Sequence, residues 1–277
     1  PQEELGDPAF AKQLAKLADV YVNDAFGTAH RAHASTSIIA NYFPNKKYFG
    51  LLLNREITSL KTALEKPKRP FTAIIGGAKI TGKIDVITSL FDKVDALIVG
   101  GGMAYTFAKA MGGNIGNSLV EEEKVELAKS LIATAKRKGI QLLLPTDSVN
   151  ADAFNNSATI QNSEITNVPA GFMGLDIGGE SIAQFSKTIL DSKTIIWNGP
   201  MGVFEMENFS HGTKQIGAAI CKATENGAFS LVGGGDSVAA IKQFGFTDKV
   251  SYISTGGGAM LKYLEGKELP GVVAIED

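Results

Sequence analysis

The chain has 277 residues, 44% hydrophobic and 20% charged, and a formal net charge of −2. That length provides a sizeable core in one large or two ordinary domains; the composition excludes a disordered chain, and the near-neutral charge argues against a nucleic-acid or membrane-surface binder working by bulk charge. A single cysteine, Cys221, excludes an intrachain disulfide and a cysteine-based zinc cluster, and no apolar run approaches the about 18 residues of a membrane span.

Pro1-Gln2-Glu3-Glu4 carries neither a secretory signal pattern nor a Met, so the chain is expected to begin downstream of a translation start. Asp7 as cap and Pro8 at the first helical position open a helix carrying Phe10, Leu14 and Leu17. Val20–Val22 reads as a short strand and residues 23–37 as a polar loop. From Gly50 to Leu64 the spacing of Leu53, Ile57, Leu60 and Leu64 predicts a helix, ended by the charged, proline-bearing residues 65–70, and a domain boundary is expected around it.

Beyond Pro70 one unit repeats: a short apolar run, a turn rich in glycine or polar residues, then usually an amphipathic stretch. The runs are 71–75, 96–99, 141–144, 194–197, 229–232 and 251–254. They are continuously apolar, as strands buried on both faces are. Helices are expected at 122–138, 181–190, 212–224 and 237–244, with 151–171 as an excursion or hairpin. Strands alternating with helices predict an α/β fold around a mostly parallel six-stranded sheet.

Glycine is over-represented, with 31 in the chain against a typical share of about 7%. Most clusters follow a predicted strand, where open α/β sheets bind ligands and where main-chain N–H groups can receive an anion. Tight turns alone would explain one such cluster; repetition favours a phosphate-bearing ligand. Gly77–Ile84 nearly matches a P-loop but ends in Ile84, which has no hydroxyl for Mg²⁺. Lys79 and Lys83, four apart, are expected to share a face of a starting helix. Either they serve a polyphosphate or they are solvated. Asp236 follows Gly233-Gly234-Gly235; it either caps a helix or holds Mg²⁺ beside substrate phosphates. Gly256-Gly257-Gly258 begins the last predicted helix and offers free N–H groups to a moving charged group. His30, Arg31 and His33 stand together in the early loop. Arg31 could fork a carboxylate or phosphate, or the loop is merely solvated. His211 and Cys221 are isolated and read as structural.

Taken together, VNDAFGTAHRAHAS at 22–35, GGAK at 76–79, IVGGGMAYTF at 98–107, GFMGLDIG at 171–178, WNGPMGVFE at 197–205, GGGDS at 233–237, STGGGA at 254–259 and LPGV at 269–272 closely resemble phosphoglycerate kinase over essentially the whole chain. The resemblance implies a cytoplasmic glycolytic enzyme, a monomer, that moves a phosphoryl group between 1,3-bisphosphoglycerate and ADP with Mg²⁺, giving 3-phosphoglycerate and ATP, with two domains that close like a hinge. It implies a Rossmann-like three-layer nucleotide domain at 67–265, an interdomain helix at 49–66, the remnant of a phosphoglycerate-binding α/β domain at 1–48, and a tail at 266–277 that returns towards that domain, its residues 270–277 expected to be loose here. It implies nucleotide contacts at Gly76, Gly77, Gly101, Gly102, Gly174, Leu175 and Val203, with Glu205 on the ribose and Asn198 and Pro200 lining the site. Lys83 would reach the phosphates, Lys79 would stand near the transferring group, and Gly256, Gly257 and Gly258 would stabilise it. Asp236 would hold the metal, with phosphate contacts from Gly234, Gly235 and Ser237, and Arg31 and His30 would meet the phosphoglycerate.

The early family motifs with further substrate arginines are absent, so the chain is expected to start partway through the first domain, to bind nucleotide and to turn over poorly. The competing readings are a non-catalytic adenine-nucleotide module, a nicotinamide-dependent oxidoreductase, against which the missing G-x-G-x-x-G spacing counts, and a purely structural α/β protein, which leaves the glycines without a reason.

Overall fold

A computed structural model describes residues 1–276; Asp277, the end of the expected tail, lies outside the described residues. In chain order the elements are α1 (Pro8–Ala15), β1 (Tyr21–Asn23), β2 (Lys47–Phe49), α2 (Leu51–Leu64), β3 (Phe71–Ile75), α3 (Ile84–Leu90), β4 (Ala96–Val99), α4 (Met103–Ala110), α5 (Val125–Lys138), β5 (Gln141–Leu143), β6 (Asp147–Ala151), β7 (Ile160–Glu164), β8 (Met173–Ile177), α6 (Gly179–Asp191), β9 (Thr194–Asn198), α7 (His211–Glu225), β10 (Phe229–Val232), α8 (Gly235–Gln243), β11 (Tyr252–Ile253), α9 (Gly257–Leu264) and α10 (Pro270–Glu276). All six apolar runs beyond Pro70 became strands.

The chain forms two compact units, Pro67–Ile253 and a unit combining Pro1–Lys66 with the residues from Ser254 onward. In Pro67–Ile253 a six-stranded sheet runs β11-β10-β9-β3-β4-β5, every pair parallel. The first strand in sequence, β3, is therefore central, and the order reverses between β3 and β9. This is the doubly wound arrangement whose ligand crevice opens at the carboxyl ends of the strands at that reversal. Ile98, Ile74, Trp197 and Val232 align across four strands and face one core with Phe185, Ile216 and Ile220 of α6 and α7. Successive side chains alternate faces, so Ala73, Ile75, Leu97 and Val99, also fully buried, look the other way. Right-handed crossovers put α3, α4 and α5 on that second face, which gives three layers. The 151–171 excursion supplies the turn and the edge strand β7 of a small antiparallel sheet, β7-β6-β8.

In the other unit, α1 begins as expected: Pro8 is its first residue and the Phe10 amide donates to Asp7 Oδ1 at 2.8 Å. The strand expected at 20–22 sits one residue later and pairs in parallel with β2, which the sequence reading did not identify. Asn23, buried in the early motif, donates to the carbonyls of Thr36 and Gly271 at 2.9 and 3.1 Å. Asp24 accepts from the Leu53 amide at 2.9 Å, capping α2 from outside the helix, because the N-cap itself is Gly50.

Three expectations are corrected here. The large unit ends at Ile253 rather than at residue 265, and α9 belongs to the first unit: Gly256 lies against Phe26, where a Cβ would come within 2.6 Å of the ring. The tail is not loose over its described part. Residues 270–276 form α10, with Gly271 buried and its amide donating to Ala29 O at 2.9 Å. Lys79 and Lys83 do not share a helical face, because Lys79 precedes a 3-10 turn, Thr81–Lys83, and α3 starts only at Ile84.

Candidate functional site

The largest concentration of sequence-predicted residues falls at the sheet's reversal point. Main chain meets main chain there: Gly76 N donates to Asn198 O at 2.9 Å and Gly77 N to Pro200 O at 3.1 Å. A Cβ on Gly76 would lie 2.1 Å from Pro200 O, and one on Gly199 would lie 2.1 Å from Gly76 O. Only glycine permits this approach.

Above the reversal opens a cleft of about 450 Å³, lined by Gly77, Gly101, Gly102, Gly174, Leu175, Pro200, Val203, Glu205 and Asp236 from the sequence-predicted set. That volume lies within the usual range for a small-molecule site, about 300–1,000 Å³. Its walls are largely apolar, adding Leu119, Met173, Met201 and the exposed ring of Phe154. Gly174 rests on a neighbour that leaves no room for a side chain: a Cβ would lie 1.7 Å from Tyr105 Oη. The buried Tyr105 hydroxyl shares a 2.5 Å hydrogen bond with Ser148 Oγ, and burial, the main cause, drives it well above the ordinary tyrosine range.

At one end of the cleft the groups become polar and charged. Asp236 lies in the first turn of α8 and is exposed; the N-cap is Gly234, so Asp236 does not cap the helix. Lys83 is half-buried and donates to Asn198 Oδ1. Burial lowers its pKa, while the charge of Asp236 pulls it back up. Asn198 Nδ2 is buried without a partner, beside Gly234, where a Cβ would come within 2.9 Å of it. Ser237 Oγ accepts from Gly199 N at 2.6 Å, joining the α8 turn to the turn after β9. Lys79 is exposed and interacts with Glu121. Gly235 begins α8 in the open.

Two residues of consequence were missed by sequence reasoning, Asp176 in the cleft wall and Glu121 beside the loop that follows Gly77. Asp176 is 2% exposed, accepts from Gly212 N at 2.7 Å and Ile177 N at 2.9 Å, and is raised by burial to about 7. Its signal was available, a carboxylate inside an apolar strand. Glu121, which accepts hydrogen bonds from Ile80 and Thr81, left no local signal.

The other unit gathers the remaining sequence-predicted residues. Gly256 and Gly257 start α9, and a Cβ on Gly258 would lie 3.2 Å from His30 Cε1. Arg31 Nε faces His30 Nε2 at 3.3 Å. Burial first, then the charges of Arg31, Lys262 and His33, push the His30 pKa down, opposed by the Gly27 backbone. Arg31 and the α9 N-terminal amides put positive potential around His30. His211 is exposed at the start of α7 and Cys221 is half-buried within that helix.

A metal would find few protein ligands. No group of three or more His, Cys, Asp or Glu side chains able to hold one occurs among the described residues. The donor set fits Mg²⁺ only as an ion carried by phosphate oxygens with Asp236 as one protein carboxylate, the usual habit of Mg²⁺. No helix among them is long and apolar enough to cross a membrane.

Fold and cleft together define a doubly wound α/β protein whose glycine turns, lysine and helix N-terminus suit a phosphorylated ligand. The phosphoglycerate kinase family model matches residues 1–267, and the chain belongs to that family. A curated phosphoglycerate kinase of Porphyromonas gingivalis is 56% identical over 268 residues, covering 96% of this chain and 64% of that protein. One from Chlorobaculum tepidum is 54% identical over 277 residues, covering 100% and 70%. The solved phosphoglycerate kinase of Coxiella burnetii superposes with a TM-score of 0.94 at 43% identity, covering 100% of this chain and 70% of that one. That of Pyrococcus horikoshii gives 0.81 at 30%, covering 96% and 65%. The chain thus spans roughly two thirds of the length of these relatives.

Proposed function

We propose that this chain binds Mg-ADP or Mg-ATP in the cleft at the sheet's reversal point and carries the nucleotide side of reversible phosphoryl transfer between 1,3-bisphosphoglycerate and ADP. The observation that carries the reading is the convergence of the turns after β3, β4, β9 and β10 on one cleft, with Lys83 and Asp236 at its charged end. The base would lie among Gly101, Gly102, Gly174, Leu175, Val203 and Phe154, with Glu205 on the ribose. Gly76, Asn198 and Pro200 would hold the turn beneath it. Lys83, Gly234, Gly235 and Ser237 would meet the phosphates at the α8 N-terminus, and Lys79 would stand by the transferring group. Asp236 would hold Mg²⁺, which neutralises phosphate charge when bound. The Gly256–Gly258 amides, His30 and Arg31 would serve the phosphoglycerate side.

The chemistry asks for positioning and positive potential, since phosphoryl transfer spreads negative charge over three equatorial oxygens. Lysine ammonium groups and helix N-terminal amides supply that potential without reorganising. No general base is required, because the attacking carboxylate or ADP oxygen is already ionised. Because the chain spans only part of its relatives' length, the isolated 277-residue polypeptide is proposed to bind nucleotide with little turnover. Calorimetry tests this with Mg-ADP, 3-phosphoglycerate and NADH. Mg-ADP binding that weakens at least about tenfold in Lys83→Met, for loss of a charge-assisted contact, supports the reading. NADH binding in preference to Mg-ADP, or Mg-ADP affinity unchanged in Lys83→Met, refutes it. A coupled assay on the isolated chain giving turnover like that of its longer relatives refutes the claim about turnover.

A further inference from the structure

We propose that the segment from Asn117 to Glu121 is a strap that sets the shape of the cleft, and that Glu121 is a positioning residue holding the lysine-bearing loop 77–83 ready for phosphate. This rests on the nucleotide reading and adds a residue that touches no substrate.

The strap ties together turns that lie far apart in sequence. Ser118 is buried, and its Oγ accepts from Gly174 N at 2.9 Å, holding the β8 wall. Leu119 covers Gly102, with Cδ2 3.1 Å from where a Cβ would stand, and lines the cleft with Asn117. Glu121 reaches the third turn: its carboxylate accepts from Ile80 N at 2.5 Å, Thr81 N at 3.2 Å and Thr81 Oγ1 at 2.5 Å. The Glu121 amide donates at 3.2 Å to Thr106 Oγ1, a buried hydroxyl of α4. The carboxylate is therefore anchored to the body of the unit while it grips the loop. Partial burial works against its ionised form, but the hydrogen bonds from Thr81 and Ile80 and the charge of Lys79 keep it below the usual carboxylate range.

The loop needs such a grip. It runs from Gly77, at φ +113°, to the 3-10 turn, with Ile80 fully buried and Lys79 exposed. Lys79 and Lys83 flank the two residues Glu121 holds, so releasing Ile80 and Thr81 loosens the backbone that carries both and leaves Lys83 to its hydrogen bond with Asn198 Oδ1. Immobilising a lysine beforehand spares a ligand that ordering entropy.

A carboxylate beside a polyphosphate is electrostatically adverse, and this makes the sign of the test informative. If Glu121 were only a neighbouring charge, neutralising it would tighten Mg-ADP. If it is a clamp, neutralising it weakens Mg-ADP and spares adenosine, which has no phosphate. The experiment is calorimetric titration of the 277-residue chain with Mg-ADP and with adenosine, for wild type, Glu121→Ala, Glu121→Gln and Thr81→Val. Glu121→Ala is expected to weaken Mg-ADP about tenfold, the scale of lost hydrogen bonds to a charged group, and to leave adenosine within about twofold. Glu121→Gln, which keeps one acceptor oxygen, falls between, and Thr81→Val costs nothing further once Glu121 is alanine. Should Glu121→Ala not fold, Glu121→Gln and Thr81→Val carry the test. Unchanged or tightened Mg-ADP binding, or equal losses for Mg-ADP and adenosine, overturns the clamp while leaving the nucleotide site standing. Wild type that binds neither ligand removes both.

Discussion

Asp176 lies on β8 at the cleft, and its carboxyl is raised by burial from an ordinary 3.8 to about 7. Below about pH 4 the folded and unfolded chains both hold this proton, so the group contributes no pH dependence. Between that point and about pH 7 the unfolded chain has lost the proton and the folded chain keeps it, so stability falls by about 1.4 kcal/mol per pH unit and by about 4 kcal/mol in all. Above the folded value the curve levels off. Asp176→Asn removes the titration. Two amides, Gly212 N and Ile177 N, donate to the two carboxylate oxygens, and Asn offers one oxygen, so one N–H loses its acceptor at a cost of about 1–3 kcal/mol. The variant is therefore expected to be less stable than wild type below about pH 4, and the difference should shift in the variant's favour by about 1.4 kcal/mol per unit as pH rises from about 5 to 6.5. Urea denaturation can follow this through Trp197, the single tryptophan, which is fully buried in the same unit. A wild-type-to-variant gap that stays constant across this range would refute the argument, since no proton would then be exchanged at Asp176 on unfolding.

Gly76→Ala should destabilise by more than about 3 kcal/mol and abolish Mg-ADP binding, because its Cβ would stand 2.1 Å from Pro200 O, a backbone atom that cannot swing away; near-wild-type melting would show that the reversal point can spread. Phe154→Ala, removing an exposed ring at the cleft, should weaken adenosine and Mg-ADP alike by about 1–3 kcal/mol, in contrast with the phosphate-selective loss expected for Lys83→Met; calorimetry with both ligands separates the patterns. Glu56, fully buried on α2, accepts from Thr255 N at 2.6 Å and Thr255 Oγ1 at 2.8 Å. Glu56→Ala should lower stability by about 2–4 kcal/mol, whereas Glu56→Gln, which retains an acceptor oxygen, should stay within about 1 kcal/mol; equal thermal shifts for the two would rule out the hydrogen bonds as the cause.

Local chemistry made much of this protein legible from its residues alone. Six apolar runs, each followed by a turn, became the parallel sheet because continuous burial on both faces leaves that signature in one stretch of chain. Asp7 and Pro8 started α1, and the glycine turns stood at strand ends, because caps and turns are decided within a few residues. What the chain did not reveal depends on residues brought together across long separations. Whether β9 or another strand would lie beside β3, and so where the cleft would open, is decided by pairing such as Gly76 with Asn198. The reach of Glu121 to Thr81, the burial of Asp176 under Gly212 and the seating of Gly256 on Phe26 are contacts of the same kind. Side-chain hydrogen bonding and desolvation act through space, and only the folded chain sets which groups share that space.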